Sequence, residues 1–210
     1  RWQKQDGTMI YPDEFIPVFE KNGFIRQLDF FMLEQVCEML RRRLTKNKIC
    51  LPISINQSRI LLNSETYTAD VAMVLNSHDT PPDLIELELT ERIFSDSLDE
   101  MAKMMSKLKD LGIRWSIDDF GTGYSSLNLL KKLPVDIIKI DKAFLDETES
   151  SNVSKIIIRK TVELTQELDK MVVCEGVETE EQANYLKAIH CDLAQGYLYA
   201  KPMPMDEFEK

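Results

Sequence analysis

Trp115-Ser116-Ile117-Asp118-Asp119-Phe120-Gly121-Thr122-Gly123 opens as an apolar strand and ends in two adjacent acids followed by glycines. Five other short apolar runs share this plan. They end on Asn56 (after Ile53-Ser54-Ile55), Glu88 (after Ile85-Glu86-Leu87), Lys139 (after Ile137-Ile138), Glu175 (after Val172-Val173-Cys174) and Gln195 (after Leu193-Ala194). All of these terminal residues are of the kind that bind metal or phosphate. In a parallel barrel the carboxyl ends of the strands converge on one rim, where active sites are built.

Between the runs lie segments with helical periodicity, near 64–77, 97–111, 125–132, 152–169 and 179–190. The 97–111 segment carries Leu98, Met101, Ala102, Met105 and Leu108 on one stripe, the pattern of a helix packed on a core. Strict alternation of strand and helix predicts parallel strands joined by right-handed crossovers. An open doubly wound sheet is the competitor, but it gathers its ligand at one switch point. Here every strand carries a polar end, which favours a closed rim. Upstream, residues 1–11 read as the tail of a strand and a polar turn at Asp6-Gly7. Helices follow over Pro12 to Asn22 and Ile25 to Thr45, with Gly23 between them. The expected fold is a modified TIM-like (β/α)8 barrel, one domain over residues 1–210, with the N-terminal strand or strands upstream of Arg1.

Composition narrows the function classes. An apolar content of 43% with 30% charged residues is that of a soluble globular domain. No apolar stretch approaches the roughly 20 residues that span a bilayer. A net charge of −10 argues against a sequence-independent binder of DNA or RNA polymers. It leaves room for a small anionic ligand, since cations bridge acids to phosphates. Cys37, Cys50, Cys174 and Cys191 form no Cys-x-x-Cys pair and read as reduced core thiols of a cytoplasmic domain.

A single carboxylate at a strand end is more often a helix cap or plain surface than a ligand. Six successive strands with polar ends make that accident hard to sustain. Strand period adds weight, because Ser54 and Asn56, Glu86 and Glu88, Ser116 and Asp118, and Val173 and Glu175 each share a face. Adjacent aspartates at 118 and 119 can serve two ions only where the strand is ending, and the glycines that follow permit a tight turn. The alternative for that motif is an ordinary Gly-rich turn capped by Ser125 or Ser126. Lys139 would be buried among acids. Glu178 either joins Glu175 at the rim or belongs to the acidic start of the next helix. His78 and His190 lack the partners of a nucleophilic triad. Glu86 and Arg114, on neighbouring strands with the parity of Glu88 and Asp118, are expected to form a buried ion pair.

In this order the motifs resemble the EAL-domain family of cyclic di-GMP phosphodiesterases. The resemblance rests on Pro12-Asp13-Glu14-Phe15-Ile16-Pro17, Ser54-Ile55-Asn56-Gln57-Ser58, Glu88-Leu89-Thr90-Glu91, Asp118 through Ser126, Lys139-Ile140-Asp141, Glu175-Gly176-Val177-Glu178 and Gln195-Gly196-Tyr197. It implies metal-dependent hydrolysis of cyclic di-GMP to linear pGpG. Asn56, Glu88, Asp118 and Asp119 look like ligands of two ions, Mg²⁺ or Mn²⁺, about 4 Å apart. Glu175, Lys139 and Gln195 look catalytic, handling the attacking water. Arg1 and Glu178 look substrate-binding, and Glu91 looks like the anchor of the loop from Gly121 to Ser126. The family's Glu-x-Leu triplet would lie just upstream of Arg1-Trp2. Without its glutamate, the alternative is a catalytically inactive cyclic di-GMP receptor. Gln57 stands where the family usually has an apolar residue, a change expected to matter little. The resemblance also implies a possible homodimer through the helix after Ser126. In the natural chain it implies an upstream sensor or cyclase domain, with or without a membrane anchor.

Overall fold

The computed structural model describes residues 2–62, 64–91, 98–121, 126–146 and 152–209. In chain order the elements are β1 (Trp2–Gln3), β2 (Met9–Ile10), α1 (Pro12–Asn22), α2 (Ile25–Thr45), β3 (Ile53–Asn56), α3 (Arg59–Leu62) and α4 (Tyr67–Ser77). They continue with β4 (Ile85–Thr90), α5 (Leu98–Asp110), β5 (Arg114–Phe120), α6 (Ser126–Lys132), β6 (Ile137–Ile140) and α7 (Ala143–Asp146). The last are α8 (Asn152–Glu167), β7 (Met171–Cys174), α9 (Glu180–Ala188), β8 (Leu193–Ala194) and α10 (Met205–Phe208). One sheet has the strand order β3-β4-β5-β6-β7-β8. Its strands stand in sequence order, and the pairs β3–β4, β5–β6, β6–β7 and β7–β8 are parallel. A doubly wound sheet reverses order at its switch point; this one does not. The fold class is therefore the modified α/β barrel of the TIM type.

The chain forms two compact units, Arg1–Leu89 with Ser95–Trp115, and Thr90–Phe94 with Ser116–Lys210. In the first, β1 and β2 pair antiparallel, Trp2 opposite Ile10. The strand expected at the start of the chain is present and, after the turn at Asp6-Gly7, pairs back with Met9–Ile10 as a small hairpin. Trp2 packs edge-on to Phe15, with ring centroids 5.8 Å apart, and tilted on Phe19 at 6.0 Å, which seats the hairpin on α1. Pro12 opens α1, and Glu14 Oε1 accepts the Tyr11 N–H at 3.1 Å, using donors that a helix start leaves orphaned. Core residues of this unit include Leu33, Cys37 and Leu40 from α2, Tyr67, Val71 and Leu75 from α4, Ile85, Leu87 and Leu89 from β4, and Met105 and Leu108 from α5. Trp115 is fully buried, its indole N–H donating to the Met105 carbonyl at 3.2 Å.

The expected pairing of Glu86 with Arg114 is not formed among the described residues. Glu86 is buried, but its Oε1 accepts from Ser54 Oγ at 2.8 Å. Ser54 stands directly opposite Glu86 in the β3–β4 ladder, so the nearest cross-strand donor takes the carboxylate. The buried Nε of Arg114 has no hydrogen-bond partner.

In the second unit α8 covers β7. Ile158 and Val162 join Ile140, Val172, Cys174, Val177 and Leu186 in one buried cluster. Two glycines there are required by contact. A Cβ on Gly176, whose φ is +70°, would fall 2.1 Å from Lys142 Cβ, and one on Gly196 would fall 2.2 Å from the Val177 backbone. At α9 the Thr179 Oγ1 accepts the Gln182 N–H, and Gln182 Oε1 accepts the Thr179 N–H in return, a reciprocal cap.

Asp29 in α2 is nearly inaccessible, at 7% exposure, and accepts the Ser58 N–H at 3.0 Å. Burial pushes its carboxyl up to about 6, against a smaller opposing pull from the Ser58 hydrogen bond. The fold therefore favours the neutral acid. Its contribution to stability is complete below the unfolded value of 3.8 and is lost as pH rises to about 6. An Asn at this position keeps an acceptor for Ser58 without the charge. Relative to the parent, Asp29→Asn is expected to gain on the order of 2–3 kcal/mol between about pH 3.5 and 7, read from urea denaturation at both pH values.

Candidate active site

The first unit supplies one pair of polar strand ends. In the parallel ladder of β3 with β4, Ser54 lies opposite Glu86 and Asn56 opposite Glu88. The Ser54–Glu86 hydrogen bond fixes the face these side chains share, and the period of two puts Asn56 and Glu88 on it. Glu88 is 4% exposed, whereas Asn56 is exposed and lines a cavity of about 870 Å³ together with Trp2, Phe15, Phe19, Asp29 and Ser54. Behind the pair, the Glu88 carbonyl accepts the Gln57 N–H at 2.9 Å.

The second unit supplies the rest. The β5–β6 register pairs Ile117 with Ile138 but Phe120 with Ile140, so Asp118 and Asp119 together face the single residue Lys139. Asp119 sits at φ +55° and donates its N–H to Asp118 Oδ1 at 2.9 Å. This is a β-bulge, which re-aims side chains and ends regular pairing. It explains how two adjacent aspartates can both remain half-buried instead of one facing the core and one facing away.

Lys139 is 5% exposed, and its Nζ donates to Glu175 Oε1 at 3.1 Å. The β6–β7 register sets Lys139 opposite Val173, two residues before Glu175, which carries the lysine forward to that carboxylate. Burial raises the Glu175 pKa above the ordinary carboxylate range. Lys139 opposes that rise, and Asp118 and Asp119 add to it. The two aspartates, the lysine and the glutamate therefore form one electrostatic group.

Glu91, buried at 5% exposure just past β4, accepts the Gly121 N–H on Oε2 at 2.9 Å. The rest of the loop it was expected to anchor, residues 122–125, lies outside the described residues. Gly121 has φ +96°, and a Cβ there would fall 2.6 Å from Phe144 Cζ. Gln195 is exposed, with its N–H on the Cys174 carbonyl and its carbonyl on the Val177 N–H. Glu178 is exposed and precedes the Thr179 cap, so the acidic first turn of α9 belongs to Glu180 and Glu181 rather than to it. Arg1 lies outside the described residues.

Among the described residues no three His, Cys, Asp or Glu side chains form a ready-made metal cluster. The donors stand instead as an amide–carboxylate pair, Asn56 and Glu88, and an adjacent carboxylate pair, Asp118 and Asp119. Every donor is a hard oxygen. The neighbouring thiol, Cys174, is fully buried, and burial holds it protonated. Such a set fits Mg²⁺ or Mn²⁺ rather than a thiophilic metal. Sequence reading missed the buried polar residues beneath Asn56, namely Asp29 and Tyr67; the signal was a glutamine, Gln57, placed directly after a strand.

A parallel α/β barrel with acids at its strand ends is a fold that hosts many functions, and comparison with known proteins identifies the family. The EAL domain family matches residues 1–202, and the chain belongs to that family. It is 35% identical over 210 residues to the cyclic di-GMP phosphodiesterase NbdA of Pseudomonas aeruginosa, covering all of this chain and 27% of that protein. It is 37% identical over 208 residues to the probable cyclic di-GMP phosphodiesterase PdeB of Escherichia coli, covering 99% of this chain and 39% of that one. The solved PaMucR phosphodiesterase in complex with cyclic di-GMP superposes with a TM-score of 0.92 at 34% identity, over 99% of this chain and 84% of the other. The chain thus spans well under half the length of these two curated relatives.

Lys139→Met removes the lysine that, among the described residues, holds the Glu175 pKa down. The Glu175 carboxyl is then expected to titrate at higher pH than in the parent, followed by carbon-detected NMR of labelled glutamate.

Proposed function

We propose that this chain hydrolyses cyclic di-GMP to linear pGpG. The observation that carries the reading is the bulged Asp118–Asp119 pair facing Lys139, with Lys139 bonded to Glu175, in a chain of the EAL family. Asn56, Glu88, Asp118 and Asp119 would hold Mg²⁺ or Mn²⁺. Bound there, the ions would supply Lewis acidity toward a phosphate and make a water more acidic.

The chain's own groups do the rest. Glu175, more basic than an ordinary carboxylate because of burial and the aspartates, is suited to accept a proton from the attacking water. Lys139 fixes which Glu175 oxygen is free, because Oε1 is engaged. Its charge also offsets negative charge building on the phosphate. Gln195, held through its own backbone bonds beside the end of β7, would orient the water. Glu91 would fix the start of the loop at Gly121, and Glu178 and Arg1 would contact the ligand.

Incubation of the natural full-length protein with cyclic di-GMP and Mg²⁺ or Mn²⁺, followed by chromatography of the nucleotides, tests this. The parent is expected to release pGpG, and Glu175→Gln to do so at least about 100-fold more slowly. Saturable binding without any pGpG would instead make the protein a receptor.

A further inference from the structure

Four hydrogen bonds converge on the peptide that follows Asn56. The Gln57 N–H donates to the Glu88 carbonyl at 2.9 Å, and Gln57 Nε2 donates to the Asn56 carbonyl at 2.9 Å. The Tyr67 hydroxyl donates to Gln57 Oε1 at 2.7 Å, and the Ser58 N–H donates to Asp29 at 3.0 Å. Gln57, Ser58, Tyr67 and Asp29 are all buried, Tyr67 completely. The Tyr67 ring is further fixed edge-on to Phe30, at 6.2 Å between centroids.

A buried polar side chain is costly unless satisfied, and a glutamine spends that cost only where it has partners. Gln57 has one for each end of its amide. It bridges the first-turn tyrosine of α4 to the backbone of the residue whose side chain is exposed at the strand end. Its own N–H ties the same point to Glu88, the cross-strand neighbour of Asn56. The backbone torsions on both sides of the Asn56 carbonyl are thereby set, and with them the direction in which the Asn56 amide leaves the strand.

We infer that Gln57 and Tyr67 are positioning residues for the metal-binding end of β3, acting through the Asn56 backbone rather than by touching substrate or ion. This rests on the reading of Asn56 and Glu88 as metal ligands given above. It assigns a role to the one residue in the Ser54–Ser58 motif expected to matter little. Burial pushes the Tyr67 phenol well above its ordinary range, so the hydroxyl stays a donor at every working pH.

The test separates positioning from simple support. Tyr67→Phe strands the Gln57 carbonyl oxygen, whereas Gln57→Met with Tyr67→Phe replaces both partners by apolar groups of similar shape, a change that is close to neutral for folding. Tm and the Mn²⁺ dissociation constant, the latter by calorimetric titration, are measured for parent, single and double variants of the full-length protein. The double variant is expected to melt within about 2 °C of the parent and to bind Mn²⁺ about 10-fold more weakly, as loss of an outer-shell contact does. Parent-level Mn²⁺ affinity in a double variant of parent stability would overturn the inference. If the double variant does not fold, parent-level affinity in Tyr67→Phe overturns it, and weakened affinity there at a temperature well below its own Tm supports it. A parent that binds no Mn²⁺ also overturns it. Mn²⁺ binding by a parent that releases no pGpG overturns the hydrolase reading and leaves the positioning role to be decided by the affinities.

Discussion

In the β3–β4 ladder Ser54 is set against Glu86 and Asn56 against Glu88, and a single register decides where all four side chains go. Slipping that register by one residue would carry the polar set to the opposite face. What holds it is the other face of the strands, where Ile55 is 4% exposed and Ile85, Leu87 and Leu89 are fully buried. The polar face of β4 is buried as well, so its acids need local partners. Ser54 supplies one for Glu86 at the cost of a single hydroxyl. The register thus fixes a strand end, and the strand end fixes what chemistry is available there.

The second unit applies the same constraint and then breaks it at one point. From Lys139 opposite Val173, regular parallel pairing leads to Glu175 and an ion pair between the buried lysine and the partly exposed glutamate. Through this bond Lys139 and Glu175 tie their two strands to one another. On the other side of β6 regular pairing fails, because β5 spends two residues against one. A non-glycine residue in the left-handed region is uncommon, and aspartate is among the types that tolerate it best. Asp119 takes that conformation while its N–H rests on Asp118. The bulge lets two consecutive acids both stay half-buried opposite one lysine.

Much of this was legible beforehand. The bounds of α1 and α2 agree with those read from the sequence, because Pro12, Gly23 and the amphipathic run to Thr45 are local signals. The shared face of Ser54 with Asn56 and of Glu86 with Glu88 followed from period two, which depends on nothing beyond the strand itself. The pieces that were not legible are those decided by partners distant in sequence. The hairpin at Trp2 needs Met9 and Ile10 on its other side. The choice of Ser54 over Arg114 as partner for Glu86 depends on a ladder register that no single strand reveals. The short helices α3 and α7, of four residues each, carry too little periodicity to stand out. Gln57 shows the limit most clearly, since the glutamine is visible in the sequence but its tyrosine, ten residues on and across a helix start, is not.

The electrostatics of Glu175 connect this architecture to the proposed chemistry. Burial makes its charged form unfavourable, and the nearby Asp118 and Asp119 push in the same direction. Lys139 pulls the other way. A proton acceptor must be ionised before the reaction and willing to take a proton during it, which calls for a pKa above that of an ordinary surface carboxylate but below the working pH. Positive charge at the two aspartates would offset their repulsion of Glu175, so the same residues that would hold the ions also govern when the base is ionised. Any cation held by the aspartates and the basicity of Glu175 would therefore be coupled by position. A change at the bulge would alter both at once.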